Sequence, residues 1–358
     1  MIGRRMNIIY DNVIYNLQKF GGISVYWSQL SRRIIKDSSV KTVFLEFDKN
    51  NKNISRDFLN IDSSRIIKNN IRFGLVIDRY FNPRNVLTKN TIFHSSYYRF
   101  NKNKKAINVV TVYDFTYEKY IRTIKGRIHI LQKRRALFKA DGIICISENT
   151  KNDMLKLYPK LSKKAIKVIY LAHNSEDFYH NGAKKDLNSV LFVGSRTKYK
   201  NFDYAVKIVS GIDKCKLLIS GNPLTEEETS LLKRELPDRF EVYPYASTEE
   251  LNLLYNKSLC LLYLSEYEGF GIPVLEAMSS GCPVICLNKS SIPEVAKNAG
   301  IMFDKLDIVN IQDSIIKLRE NSKYRLSIIQ SGFENIEFFS WEKCYKETID
   351  FYQKLIER

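Results

Sequence analysis

Several familiar chemistries have no residues to work with in this sequence. There are only four histidines, no Asp-x-Asp pair and no GxxxxGK run. Scarce imidazole leaves little for a metal centre or a histidine general base. Without paired aspartates, a divalent cation has no ready clamp against a diphosphate, and without the P-loop there is no Walker-type phosphate grip. No apolar stretch approaches the roughly 18–20 residues of a spanning helix. The amino terminus reaches Asn7 and Asp11 before an apolar core develops, so it does not read as a signal peptide, and the expected compartment is the cytoplasm. The six cysteines are scattered among apolar neighbours. Even the close pair, Cys282 and Cys286, flanks what reads as a buried strand, so structural thiols and no metal site are expected.

Acidic residues are scarce in one half only. Residues 1–185 hold 36 Lys+Arg against 14 Asp+Glu, a net charge of +22, while the remainder nets −4. That asymmetry calls for an anionic partner on the first half: nucleic acid, a membrane surface or a phosphorylated lipid. No basic–aromatic module of a known nucleic-acid-binding type occurs, so nucleic acid is not the expected partner.

What is present is a chain of 358 residues, 44% hydrophobic and 27% charged, long enough for two domains. Short β-branched runs alternate with longer amphipathic stretches, the pattern of βα repeats and parallel sheets. In the first half, strands are expected at 6–10, 41–45, 92–94, 106–113, 142–147 and 167–170, with helices over 24–36 and 123–140. In the second helix Arg127, Lys133, Arg134, Arg135 and Lys139 form the polar side, with Ile128, Leu131, Leu137 and Phe138 as apolar counterparts. Residues 174–188 are polar, contain a glycine and show no periodicity, as a linker would. A second series follows, with strands at 189–193, 216–220, 241–245, 259–264, 283–287 and 301–303. The expected fold is α/β: two Rossmann-like domains with parallel sheets facing a cleft, over 1–178 and 186–340. Ligands of such sheets bind beyond the carboxyl ends of strands.

One loop stands out. Ser265-Glu266-Tyr267-Glu268-Gly269-Phe270-Gly271-Ile272-Pro273 follows an apolar strand and opens a helix that Gly281 ends. Two glycines allow close backbone approach, and the unpaired amides of a helix start favour anions. Glu276 is expected in the first helical turn, where its carboxylate could accept hydrogen bonds from a ribose diol. Glu268 lies just ahead, toward whatever extends past the phosphates. Val274 breaks the dinucleotide fingerprint GxGxxG.

Taken whole, the run Ser-x-x-Glu-Gly-Phe-Gly-x-Pro-x-x-Glu-Ala-Met-x-x-Gly-x-Pro-Val resembles glycosyltransferase family 4 of the bacterial surface-polysaccharide type. Ser265, Glu268, Gly269, Phe270, Gly271, Pro273, Glu276, Ala277, Met278, Gly281, Pro283 and Val284 carry the match. The resemblance implies the GT-B fold and a retaining hexosyl transfer from a nucleotide-diphosphate sugar, and the missing Asp-x-Asp pair points to no metal cofactor. The positive charge of residues 1–185 suits a saccharide or polyprenyl-diphosphate-linked acceptor held there. Mannosyl is preferred by resemblance alone. By the same analogy Gly194, Arg196 and Lys200, in Val193-Gly194-Ser195-Arg196-Thr197-Lys198-Tyr199-Lys200, meet the donor diphosphate. Gly269, Phe270, Gly271 and Ile272 line its helix-start cradle. Phe20-Gly21-Gly22-Ile23-Ser24 is similar to the family's double-glycine loop, with Gly21 and Gly22 near donor phosphate or acceptor. Thr111-Val112-Tyr113-Asp114-Phe115 is similar to a segment usually written with His before Asp. Tyr113 replaces that His, and Asp114 remains. Glu268, Asp114, Arg196 and Lys200 are thus the expected catalytic residues.

Ser291-Ile292-Pro293-Glu294-Val295 and Ser340-Trp341 also resemble the family, in which the last helix, here 341–358, often crosses back to the first domain. The charge of the first half suits peripheral contact with an anionic inner membrane. Epimerisation or phosphorolysis of nucleotide sugars on the same fold is the neighbouring alternative. A basic nucleic-acid-binding protein is the alternative from a different class.

Overall fold

In the computed structural model, which describes residues 6–19, 21–47, 53–69 and 75–358, the βα alternation becomes two parallel sheets. Each belongs to its own unit: residues 1–171 with 341–358, and residues 172–340. The division falls ahead of residue 178. Phe178 packs edge-on against Tyr255 and its carbonyl accepts from the Ser279 hydroxyl at 2.6 Å, both partners of the second unit.

In the first unit β1 (Met6–Asp11), β2 (Val40–Phe47), β3 (Ile66–Asn69), β4 (Thr91–Ser95), β5 (Ala106–Val112), β6 (Gly142–Cys145) and β7 (Ala165–Val168) form a seven-stranded sheet in the order β3-β2-β1-β4-β5-β6-β7. Its inner strands are apolar on both faces because helices cover both. β1 carries Ile8, Ile9 and Tyr10 with no exposed surface. β3 is a strand the sequence pattern does not announce: three half-buried residues and the exposed Lys68 at a sheet edge carry no clear period. β7 begins two residues earlier than expected, at Ala165, in register with Gly142 of β6.

Helix Trp341–Ile356 packs with this unit. Its buried residues fall at Trp341, Cys344, Tyr345, Thr348, Phe351, Tyr352 and Leu355, a stripe of helical period. Each large side chain so buried contributes about 1.5–3 kcal/mol. Polar bonds fix the register. Tyr345 donates to Asp37 at 2.7 Å, and the Tyr352 hydroxyl meets His94 Nδ1, whose Nε2 faces Thr111 Oγ1 at 2.8 Å. Burial pushes His94 down to about 3, so it is a neutral hydrogen-bonding core residue.

In the second unit β8 (Asp186–Val193), β9 (Lys216–Gly221), β10 (Phe240–Pro244), β11 (Ser258–Tyr263), β12 (Val284–Leu287) and β13 (Gly300–Phe303) form a six-stranded sheet, β10-β9-β8-β11-β12-β13. β8 starts inside the stretch expected to be linker, since Ser258 of β11 pairs with Asp186. Helix Ser322–Ile336, also unannounced, covers Met278 and sends Asn335 to the carbonyl of Val295 at 2.8 Å. All six cysteines are buried and free. No helix among the described residues is long and apolar enough to cross a membrane.

Candidate active site

In the second sheet the strand order reverses between β8 and β11, which are direct neighbours with Leu191 opposite Leu261. At such a reversal the loops leaving the two strands diverge and open a crevice. The loop after β8 begins at Gly194 and the loop after β11 at Leu264, so the two motifs read from sequence emerge side by side. They are tied together. Asn201 donates its side-chain amide to Leu264 O at 2.8 Å, and Glu266 N donates to Tyr199 O at 2.8 Å.

Two glycines are required by the backbone. Gly271 has φ +110° and forms the N-cap of helix Ile272–Ser279. A Cβ there would be strained and would lie 2.8 Å from Ile292 Cδ1. At Gly221 the chain passes so near the first loop that a Cβ would sit 2.4 Å from Gly194 O. Ser291 clamps the glutamate loop from the other side: its hydroxyl donates to Glu268 O at 2.9 Å and Phe270 O at 2.8 Å. Ser290 Oγ accepts from Glu268 N at 2.9 Å. The Ser-Ile-Pro-Glu segment therefore serves as a brace for this loop.

The charged groups form two pairs. Lys200 Nζ lies 2.9 Å from Glu268 Oε1, both largely shielded. Burial works to lower the lysine pKa, but the Glu268 carboxylate more than offsets it, and the net shift is upward. Lys200 stays charged. Arg196 has a side chain only 4% exposed and lies 2.9 Å from Glu228. Its Nη2 donates to the carbonyls of Asn222 and Pro223 at 2.9 and 2.7 Å. Its Nη1 has no hydrogen-bond partner among the described residues. Glu228 also caps its own helix, in a capping box with Thr225. Nothing in the sequence motif pointed to Glu228, which is 32 positions from Arg196.

Glu276 departs from expectation. The helix begins at Ile272 and its first turn holds no acidic residue; Glu276 lies in the second turn, level with Tyr255, whose hydroxyl donates to it at 3.1 Å. Burial pushes its carboxyl up to about 7, against the lowering effect of that hydrogen bond. An acid-free first turn leaves the helix dipole uncompensated at its positive end. Phe270 turns its ring into the core against Phe339, so it supports the loop from behind and only its backbone faces the loop's outer side.

Asp114, Gly21 and Gly22 belong to the first unit. Asp114 follows β5 and its carboxylate accepts from Thr116 N at 2.9 Å, capping the turn. Its carbonyl accepts from buried Lys133 Nζ at 2.9 Å, and that lysine pairs with Glu118 at 2.8 Å. Tyr113, in place of the histidine, is core: its hydroxyl donates to Ser96 O at 3.0 Å. Gly21 is the N-cap of helix Gly22–Lys36; Phe20 lies outside the described residues. Among the described residues, no group of three or more His, Cys, Asp or Glu could hold a metal ion.

Comparison with known proteins agrees with this geometry. The family described as Glycosyl transferases group 1 matches residues 174–335, the unit that carries both tied loops. That match covers 162 of the 358 residues, all of them in the second unit. It is 28% identical to the O-antigen chain mannosyltransferase B of Escherichia coli over 64% of this chain and 66% of that protein. With the Salmonella typhimurium O-antigen chain mannosyltransferase RfbU it shares 30% identity over 54% of this chain and 57% of that protein. The matched stretch thus spans less than two thirds of either mannosyltransferase. An uncharacterized glycosyltransferase of Methanocaldococcus jannaschii is 27% identical over 98% of this chain and 99% of its own length. Among solved structures, a sucrose-phosphate synthase from Thermosynechococcus elongatus superposes with a TM-score of 0.75 at 16% identity, covering 99% of this chain and 100% of that one. Anabaena HepE, solved with UDP and glucose, gives 0.74 at 12%, covering 98% and 100%. These structural likenesses show the GT-B fold.

Proposed function

We propose that this chain is a metal-independent, retaining hexosyltransferase that moves a sugar from a nucleoside-diphosphate donor to a saccharide or lipid-linked saccharide in surface-polysaccharide assembly. The observation that carries the reading is the pair of tied loops at the switch point of the second sheet. They set Lys200 against Glu268 just ahead of an acid-free helix start, with Arg196 on the same loop as Lys200 and held by Glu228. A departing diphosphate is an anion that needs cations and amide donors around it. Arg196 and Lys200 are each held by a carboxylate, and the diphosphate would take over part of that pairing. The amides at Gly271 and Ile272 would add the helix-start contribution.

In this mechanism the bond between the anomeric carbon and the diphosphate oxygen breaks while a bond to the acceptor oxygen forms on the same face. The acceptor's hydroxyl proton passes to the leaving phosphate oxygen. Glu268 would orient the sugar, Glu276 the ribose, and Asp114 the acceptor side. Tyr245, three-quarters exposed beside Gly221, offers a ring on which the base could stack. Mannose is the preferred sugar because two relatives bear the name O-antigen chain mannosyltransferase; UDP in a structural neighbour supports a nucleotide donor in general.

The test is a thermal-shift panel of UDP, GDP and their sugars, repeated with EDTA, followed by product NMR on the best donor. A retained anomeric configuration with EDTA present is expected. An inverted anomer would overturn the retaining assignment, and loss of turnover on chelation would overturn metal independence. Epimerised donor formed without acceptor, or turnover that needs inorganic phosphate, would replace transfer by the neighbouring reactions.

A further inference from the structure

Helix Ile124–Lys139 of the first unit leaves four of its large apolar side chains exposed. The side packed on the protein is Gly126, His129, Lys133, Ala136 and Leu137, mostly small or polar. Lys133 is wholly buried, held by Glu118 and lying 4.5 Å from the Phe115 ring centre. His129 lies against Tyr117, with ring centres 4.0 Å apart, and its Nδ1 is 3.1 Å from the Tyr97 hydroxyl. The large apolar residues face outward instead: Ile124 is 78% exposed, Ile128 43%, Leu131 61% and Phe138 39%. Spacings of four, three and seven set them in one stripe along the helix.

The same outer surface carries Lys125, Arg127, Arg134, Arg135 and Lys139, all exposed, and the helix has no acidic residue. Beside its carboxyl end is a recess of about 510 Å³ lined by Lys102, Lys104, Arg135 and Lys139, with Asp141 the one carboxylate. Asp141 is engaged, accepting from Asn108 N at 2.7 Å. An apolar stripe flanked only by cations is the composition of a helix that lies in a membrane interface. A protein partner would be expected to leave polar or acidic positions among the cations, and a nucleic acid gains nothing from exposed isoleucine and leucine.

We propose that the outer face of helix Ile124–Lys139 docks this enzyme onto an anionic bilayer. Ile124, Ile128, Leu131 and Phe138 enter the headgroup boundary, and the basic recess takes lipid phosphates. This rests on the reading of the basic first half as a membrane contact and gives that contact a surface and an orientation.

The test is flotation of the full chain with phosphatidylcholine vesicles, with and without phosphatidylglycerol, for wild type, Ile128→Glu/Leu131→Glu and Arg134→Glu/Lys139→Glu. Wild type is expected to float only with anionic vesicles, and each double variant to bind about tenfold or more weakly. Both variants should keep the wild-type melting temperature and nucleoside-diphosphate binding, because the positions are exposed and lie in the other unit. That binding is measured without vesicles, so the donor reading and the docking proposal can fail separately. Wild-type protein that ignores anionic vesicles, or variants that float like wild type, would overturn the docking face. So would a wild-type dimer in light scattering that Leu131→Glu dissociates, since the stripe would then belong to a second copy.

Discussion

The two units share one architecture yet differ in where function is written. In the second, the chemistry-bearing residues are packed into two short loops at one switch point, each with backbone demands only glycine meets. In the first, the sheet is as regular, but its distinctive features are a surplus of positive charge and a helix that presents apolar residues outward. One unit gathers its charged groups into two shielded ion pairs. The other is specialised outward, on its surface. The difference predicts that substitutions in the second unit act on turnover, and those in the first on stability and location.

The largest effect expected is from Glu268→Gln, which keeps shape but removes the charge beside Lys200. Turnover should fall by roughly 10²–10³-fold, the usual cost of losing a preorganised charged group. Steady-state kinetics with an unchanged far-UV spectrum is the check, and near-wild-type turnover would remove Glu268 from the site. Arg196→Ala and Lys200→Ala should each lower kcat/KM by on the order of 10²-fold. A comparable loss from Lys139→Ala, in the other unit, would break the contrast.

Acid should separate the units as well. His94 and His129 titrate near 3 in the folded first unit, well below an unfolded value near 6.5. Between those values the unfolded chain binds more protons, so their contribution is intact above about 6.5 and is lost as pH falls. At pH 5 the loss is about 2 kcal/mol for each fully shielded histidine. Glu276 acts oppositely in the second unit. Its folded value near 7 exceeds its unfolded value, so acid favours the folded form there, partly offset by His173, held near 4 by burial. Thermal melts from pH 7 to 5 should show the first unit losing more; equal loss in both would contradict this assignment. The smallest effect is Tyr352→Phe, which removes the hydroxyl between His94 and Tyr10. It should cost about 1–2 kcal/mol in denaturant unfolding and leave turnover of a soluble acceptor intact.

The two-sheet organisation and both loops were legible in the sequence because periodicity and glycine placement are local signals. The capping boxes at Thr225 and Ser247, each with glutamate three residues on, are local features of the same kind. What escaped was set by partners far along the chain. Strand β3 exists because β2 offers an edge to pair with. The pairing of Arg196 with Glu228, and of Glu276 with Tyr255, links elements that only the sheet brings together. Which side of helix Ile124–Lys139 meets the protein was not legible either, since a two-sided pattern does not say which side is covered. Here Tyr97, Tyr98 and Tyr117 take the small and polar side.

The most direct test of the central claim is calorimetric titration of the full chain with UDP and GDP in EDTA, for wild type and Arg196→Ala/Lys200→Ala. The account predicts that one nucleoside diphosphate binds wild type without metal and binds the double variant at least about tenfold more weakly. Undiminished affinity in the double variant would contradict it, as would no binding to wild type of either nucleotide.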